Sequence, residues 1–280
     1  MSSFRKCIFA GKGSIYVLEI VQNRVLAIRQ HIEEPDVITD ASWRPSSWQR
    51  NDLLFVTGCG RGMLKLYNGG KVAVKETQAH YAEIASTQWY DGTILSCSWD
   101  RTFKVWNEEN LINVVTSPDL KGLCFEAKGQ RALIATALSN CLMQLWDTRD
   151  VSTPKMNVNH GCEVTCVEWH KGDANKLITG CSDSIVRLWD LRNPGQPLRR
   201  FLGHDYAVRK VVTCHFNPNI VLSCSYDKTV RRWDLQSQNQ THQKLEHHSE
   251  FVYGLDTSPW CAGMAVDCSW DSEIKLFYHY

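Results

Sequence analysis

Net charge is what this 280-residue sequence most conspicuously lacks: 31 Lys and Arg stand against 30 Asp and Glu, leaving +1 at neutral pH. Such a balance argues against a strongly polyelectrolyte partner, and no basic patch accompanies it, so nucleic-acid binding is not expected. No run of eighteen apolar residues occurs, and the opening MSSFRKCIFAGKG has too short an apolar stretch for a secretory signal. Direct membrane insertion is therefore not expected, and the cytosol is the expected compartment. Twelve cysteines are present, yet no C-x-x-C pair exists, and Cys162 and Cys166 form only a near miss. The expectation is no disulfide framework and no metal. The motifs G-x-S-x-G and H-E-x-x-H are missing, and the glycine runs Gly11-Lys12-Gly13 and Gly58-Cys59-Gly60-Arg61-Gly62 lack the strand, helix and Lys-Ser/Thr context of a phosphate loop. These runs read as hairpin turns, and neither an enzyme nor a cofactor is expected.

What is present is a unit that returns about every forty residues. Its best copies are LSCSWDRTFKVWN (Leu95 to Asn107), LITGCSDSIVRLWD (Leu177 to Asp190), LSCSYDKTVRRWD (Leu222 to Asp234) and VDCSWDSEIKLFY (Val266 to Tyr278). The closing aromatics Tyr67, Trp106, Trp146, Trp189, Trp233 and Phe277 lie 39, 40, 43, 44 and 44 residues apart. Each copy joins an apolar run, a turn Asp and an alternating run, which is the pattern of a β-hairpin, and weaker strands flank it on both sides. Period and wording resemble the blades of WD-repeat propellers, four antiparallel strands each. The cysteines fit this frame. Cys97, Cys224 and Cys268 precede the turn Asp by three residues, with Cys59 and Cys181 one place further on, where a packed strand needs a small, mildly apolar side chain.

A continuous repeat argues for one domain over residues 1–280. Upstream of residue 37, Lys6 to Ala10, Ser14 to Ile20 and Arg24 to Ile28 read as three further strands. The expected fold is thus an all-β, seven-bladed WD-repeat β-propeller with an incomplete first blade. Ring closure is left open, because the first blade lacks its inner strand and the last ends at Phe277 to Tyr280 without an outer one. An N-terminally shortened chain is the preferred explanation, and a partner that fills the gap the alternative.

Within the copies, a His, a strand hydroxyl, the turn Asp and the Trp recur at matching places. The sets are His80, Ser96, Asp100, Trp106; His160, Thr179, Asp183, Trp189; and His204, Ser223, Asp227, Trp233. Resemblance to WD repeats implies a buried relay in which Asp holds His, His meets the hydroxyl and the hydroxyl meets the indole. Three copies in one chain argue against a catalytic triad. The last copy departs with His247, Asp271 and Asp267 in place of the hydroxyl; the copy ending at Trp146 has Asn140 for the turn Asp and no matching His; the first has Arg61 there.

Two further offsets fall on one rim. Three residues after each blade His come Glu83, Glu163, Ala207 and Glu250, with Asp119 in the blade that lost its His. Immediately before the turn Asp come Trp99, Ser182, Tyr226 and Trp270. Carboxylates beside large aromatics suit a short cationic amphipathic helix, with aliphatic anchors on the rings and Arg or Lys on the acids.

The wording of the C-terminal copies is more specific. QPLRRFLGHDYAVRKV, VLSCSYDKTVRRWD, LEHHSEFVYGLD and VDCSWDSEIKLFY resemble the WD-repeat peroxins that act as receptors for the type 2 peroxisomal targeting signal, closely over Gln196 to Tyr278 and more loosely over Asp36 to Asn193. The resemblance implies a cytosolic receptor that binds the amphipathic N-terminal signal of cargo proteins and acts with a peroxin co-receptor. It would engage the peroxisomal docking complex and cycle to the peroxisome and its matrix. Signal-binding candidates are then Glu83, Trp99, Asp119, Glu163, Tyr206, Tyr226, Glu250 and Trp270. The alternative is a generic WD-repeat adaptor, since Trp146-Asp147-Thr148-Arg149 and Trp189-Asp190-Leu191-Arg192 resemble the WD-x-R box of substrate receptors on cullin-RING ubiquitin ligases.

Overall fold

The computed structural model describes residues 5–21, 25–44, 54–69, 72–90, 92–107, 111, 113–118, 120–237 and 242–279. Among them the chain is built from strands in six antiparallel sheets. The first contains β1 (Arg5–Val21), β2 (Val25–Trp43), β3 (Leu54–Cys59), β4 (Met63–Asn68) and β5 (Lys75–Gln78). The second contains β6 (Ile84–Tyr90), β7 (Thr93–Ser98), β8 (Phe103–Asn107) and β9 (Asn113–Thr116), and the third β10 (Cys124–Gln130), β11 (Leu133–Leu138), β12 (Leu142–Asp147) and β13 (Met156–Asn159). The fourth contains β14 (Val164–Trp169), β15 (Lys176–Cys181), β16 (Val186–Asp190) and β17 (Arg199–Phe201). The fifth contains β18 (Val208–Thr213), β19 (Ile220–Ser225), β20 (Val230–Asp234) and β21 (His242–Leu245), and the sixth β22 (Val252–Thr257), β23 (Met264–Ser269) and β24 (Ile274–Tyr278).

The expected seventh blade is not formed. The three strands read upstream of residue 37 are two long ones, and β2 continues past that point so that Ile38 to Trp43 pairs with Cys59 to Phe55 of β3. A segment that pairs with β1 at one end and β3 at the other cannot belong to a separate sheet. The N-terminal hairpin is therefore part of the first sheet, and no separate blade is left to need an inner strand.

Burial explains the sequence pattern of the strands. In β3, β7, β11, β15 and β19 every residue after the first is buried. A strand covered on both faces reads as a continuous run of apolar and small residues rather than an alternation. β5 and β9 are largely exposed. The core lies between successive sheets: Cys166, Ile178, Val186 and Phe201 of the fourth pack with Val208, Val211, Val221 and Trp233 of the fifth. Gly180 marks how close they come, since a Cβ there would lie 2.6 Å from Val208 Cγ1 of the fifth sheet.

The chain forms two compact units, Met1–Thr136 with Leu145–Met156, and Ala137–Gln144 with Asn157–Tyr280. No helix of the described residues is long and apolar enough to cross a membrane. Of the cysteines placed before the turn Asp, Cys59, Cys97, Cys181 and Cys224 are buried free thiols as their place in the repeat predicts, whereas Cys268 is only partly buried; Cys124, Cys166 and Cys214 are buried as well.

Candidate functional site

Two of the three expected relays are complete. His80 Nδ1 lies 2.9 Å from Asp100 Oδ2 and Nε2 2.8 Å from Ser96 Oγ, which accepts from Trp106 Nε1 at 2.8 Å. His204 repeats this with Asp227 at 2.7 Å, Ser223 at 2.6 Å and Trp233 at 2.8 Å. Burial opposes ionisation of Asp100 and Asp227, yet His, Thr and backbone hydrogen bonds hold both carboxyls well below the usual range.

The third set is corrected by the structure. His160 Nε2 meets Thr179 at 3.0 Å and Trp189 donates to the same hydroxyl, but His160 Nδ1 faces the Val158 carbonyl at 3.1 Å. Asp183 takes a forked pair of hydrogen bonds from Arg187 instead. In the complete relays a Thr two residues after the Asp, Thr102 or Thr229, donates to its Oδ1 at 2.7 Å. Ile185 fills that place here and offers no hydroxyl. Burial then lowers the His160 imidazole to about 4.

In the sixth sheet the relay His is His248, not His247. His248 Nδ1 lies 2.8 Å from Asp271 Oδ2 and Nε2 3.0 Å from Asp267 Oδ1, while His247 Nε2 lies 2.5 Å from Asp267 Oδ2. The signal was available, because His248 precedes Asp271 by 23 residues, as His204 precedes Asp227. In the third sheet Trp146 still donates to Thr136 at 3.3 Å. The first sheet replaces the relay with a buried ionic cluster, Lys65 lying 2.7 Å from Glu34 and 3.5 Å from Asp36, with the Tyr67 hydroxyl on Glu34.

The rim offsets do face each other. The amide before each turn Asp donates to the carbonyl of the residue opposite: Trp99 to Glu83 at 3.1 Å, Ser182 to Glu163 at 2.9 Å, Tyr226 to Ala207 at 3.2 Å and Trp270 to Phe251 at 3.1 Å. Glu83 and Trp99 thus meet in the first unit, and Glu163, Tyr206, Tyr226, Glu250 and Trp270 belong to the second. Glu250 is displaced by one place, since correct pairing of His248 puts Phe251 at the shared offset. Asp119 lies outside the described residues.

Around Trp270 the structure assembles what sequence reasoning missed. Tyr226 and Phe251 have ring centroids 5.1 Å apart, Phe251 and Trp270 5.4 Å, and Trp270 and Tyr253 stack at 6.2 Å. The Arg209 guanidinium sits 4.1 Å over the Tyr253 ring. Arg209 and Tyr253 are the extra residues of bulges between Val208 and Lys210 and between Val252 and Gly254. A bulge re-aims its side chain, and nothing in local composition marks these two as partners. Trp270, which joins Phe251 to Tyr253, is 64% exposed, so the row reaches the surface through its indole. Its charge is mixed rather than acidic: Glu250 pairs with Lys228 at 3.6 Å, and Arg209 lies within the row.

The WD-x-R boxes close on themselves. Arg149 forks onto Asp147 and Arg192 onto Asp190, each with the Arg amide bonded to the same Asp at 3.0 Å. Arg192 holds the Asp190 carboxyl down to about 2. Both guanidinium groups face solvent.

Comparison with known proteins matches the WD domain, G-beta repeat of the WD40 family at residues 73–107, 153–190 and 195–234. These are the three copies with a His, a hydroxyl and a Trp. Curated relatives include the ribosome biogenesis protein WDR12 homologue of Drosophila willistoni, 30% identical over 147 residues, which are 50% of this chain and 34% of that protein. The peroxisomal targeting signal 2 receptor of Schizosaccharomyces pombe is 25% identical over 225 residues, 77% of this chain and 71% of that one. The chain spans about a third of the length of the WDR12 homologue. The crystal structure of the WD40 β-propeller domain of Doa1 superposes with a TM-score of 0.84 at 18% identity, covering 99% of this chain and 90% of that one. The fold is an all-β WD40 β-propeller of six blades.

Proposed function

We propose that this WD-repeat protein is an adaptor that binds a segment of a partner protein on the aromatic row Tyr226, Phe251, Trp270 and Tyr253. The row itself carries the reading. Trp, Tyr and Arg concentrate binding energy in protein interfaces, and here the exposed Trp270 ring borders partly buried ones with a guanidinium stacked among them. Exposed charge pairs such as Lys228 with Glu250 contribute about 0–1 kcal/mol, so affinity would rest on the rings and the charges would select register. Likeness to the WDR12 homologue of Drosophila willistoni covers half of this chain and a third of that protein, and supports a scaffold more than a particular assembly.

A second, narrower reading is a receptor for the type 2 peroxisomal targeting signal, acting with a peroxin co-receptor and cycling between cytosol and peroxisome. It is favoured by the match to the Schizosaccharomyces pombe receptor over most of both chains and by Glu163, an exposed carboxylate at the rim. A ligase-adaptor role through Arg192 would show as co-purification with a cullin-RING adaptor lost on Arg192→Ala.

The test is quantitative affinity capture with wild-type protein and the Trp270→Ala and Phe251→Ala variants, beside fluorescence anisotropy of a labelled type 2 signal peptide and its charge-reversed form. Partner capture that Trp270→Ala abolishes supports the adaptor. Binding of the signal peptide but not its reversed form, lost with the same variant, establishes the narrower reading. Capture indifferent to both substitutions removes the aromatic row from the function.

A further inference from the structure

We propose that His247, His248 and Asp267 in the sixth sheet form a binding site for a divalent first-row transition metal ion, with Zn²⁺ the first candidate. In the complete relays the place of Asp267 is held by a hydroxyl, which lies between the His and a Trp N–H. Here it is a carboxylate with no exposed surface, and Phe277 replaces the Trp, so no indole donor reaches it. Its partners are two imidazoles, His247 Nε2 at 2.5 Å and His248 Nε2 at 3.0 Å. Lys275, the cation on the neighbouring strand, turns its amine to Glu273 at 2.7 Å and to the His247 carbonyl. A buried anion calls for a compensating positive charge, and a metal ion supplies it.

The donor set suits such an ion. Two imidazoles and a carboxylate are zinc ligands that leave a fourth position open, and the three ligand atoms lie within 4.8 Å of one another. Tetrahedral bonds of about 2.0–2.1 Å set ligand atoms roughly 3.3 Å apart, so each imidazole nitrogen, now 2.5 or 3.0 Å from its Asp267 oxygen, needs to part from it by less than about 1 Å. The surrounding shell is already in place. A metal-bound His characteristically donates its other ring N–H to a carboxylate, and His248 Nδ1 lies 2.8 Å from Asp271 Oδ2. Asp271 is itself fixed by the Ser249 and Glu273 amides, each at 3.0 Å. Nε2 of His248 is thereby directed at the site. The His247 side chain is 23% exposed and provides the approach from solvent.

The test uses the full chain, stripped with chelator and then offered Zn²⁺ or Co²⁺, with bound metal measured by elemental analysis after desalting and by the visible absorption of Co²⁺. One equivalent is expected. His247→Ala should lose it, as should Asp267→Ser combined with Phe277→Trp, which rebuilds the hydroxyl relay and keeps the blade folded by circular dichroism. Asp271→Asn should weaken binding about 10- to 100-fold. Cys162→Ala should leave it unchanged, which separates this site from the cluster of Cys162, Cys181 and Asp183. Wild-type protein that retains no metal, or equal retention by the rebuilt relay, overturns the proposal.

Discussion

The fourth and fifth sheets carry the same four residue types at matching places and use them differently. In the fifth, Asp227 holds His204, and Arg231 stays 4.0 Å from the carboxylate. In the fourth, Arg187 at the matching place captures Asp183, and His160 turns to a backbone carbonyl. Both sheets have the Asp and the Arg. They differ two residues after the Asp, where Thr229 anchors the carboxylate and Ile185 does not. A hydrogen-bond relay thus depends on a residue outside its named members, one that orients the acid before the competing cation can take it.

Removing the acid from the complete relay should have the largest effect on this contrast. Asp227→Ala leaves His204, Thr229 and the Asp205 amide without their acceptor, and a loss of about 3–5 kcal/mol is expected in chemical denaturation. Acidification acts next, and on the other sheet. His160 is lowered to about 4 by burial, whereas in the unfolded chain it titrates at about 6.5. Between these values the unfolded state binds a proton that the native state refuses, so stability falls as pH drops from about 6.5 toward 4. His215 and His279, also lowered to about 4 by burial, add to the same slope. Together they should remove on the order of 1–2 kcal/mol by pH 5 after allowance for partial exposure, seen as a falling Tm.

A gentler change should convert one sheet into the other. Ile185→Thr supplies the missing hydroxyl, and about 1 kcal/mol of new hydrogen bonding is expected as Asp183 returns to His160. An NMR titration of His160 should move upward, and the acid sensitivity of the fourth sheet should shrink. Smallest of all is Glu163→Lys: this carboxylate lies on the exposed rim, so stability should stay within about 0.5 kcal/mol while binding of a cationic segment weakens. Equal loss of folding would make Glu163 structural.

Legibility in the sequence followed distance along the chain. Within the strand hairpins, the bonds from Trp to a Ser or Thr hydroxyl join residues ten apart, and the repeat displays them directly together with the turn Asp residues. The sequence implies seven blades where the fold has six because β1 and β2 are irregular and long, with no turn signature to show that β2 spans two pairings. His247 and His248 stand side by side with identical side chains, and what distinguishes them is the 23-residue spacing of His248 from the turn Asp271. Trp99, Tyr226 and Trp270 were visible from their place before the Asp; Phe251, Tyr253 and Arg209 were not.

By itself, then, the sequence determined the repeat, the strand order within a blade and the side chains that local turns place together, because those are set by backbone sterics and short-range hydrogen bonding. Tertiary structure alone decided the choice of partner: Arg187 over His160 for Asp183, two imidazoles around Asp267, and Arg209 laid on Tyr253 from the next sheet. Those outcomes depend on which charges and rings come within a few ångströms in the folded chain, where several partners of suitable chemistry compete for one group and only the final geometry selects among them.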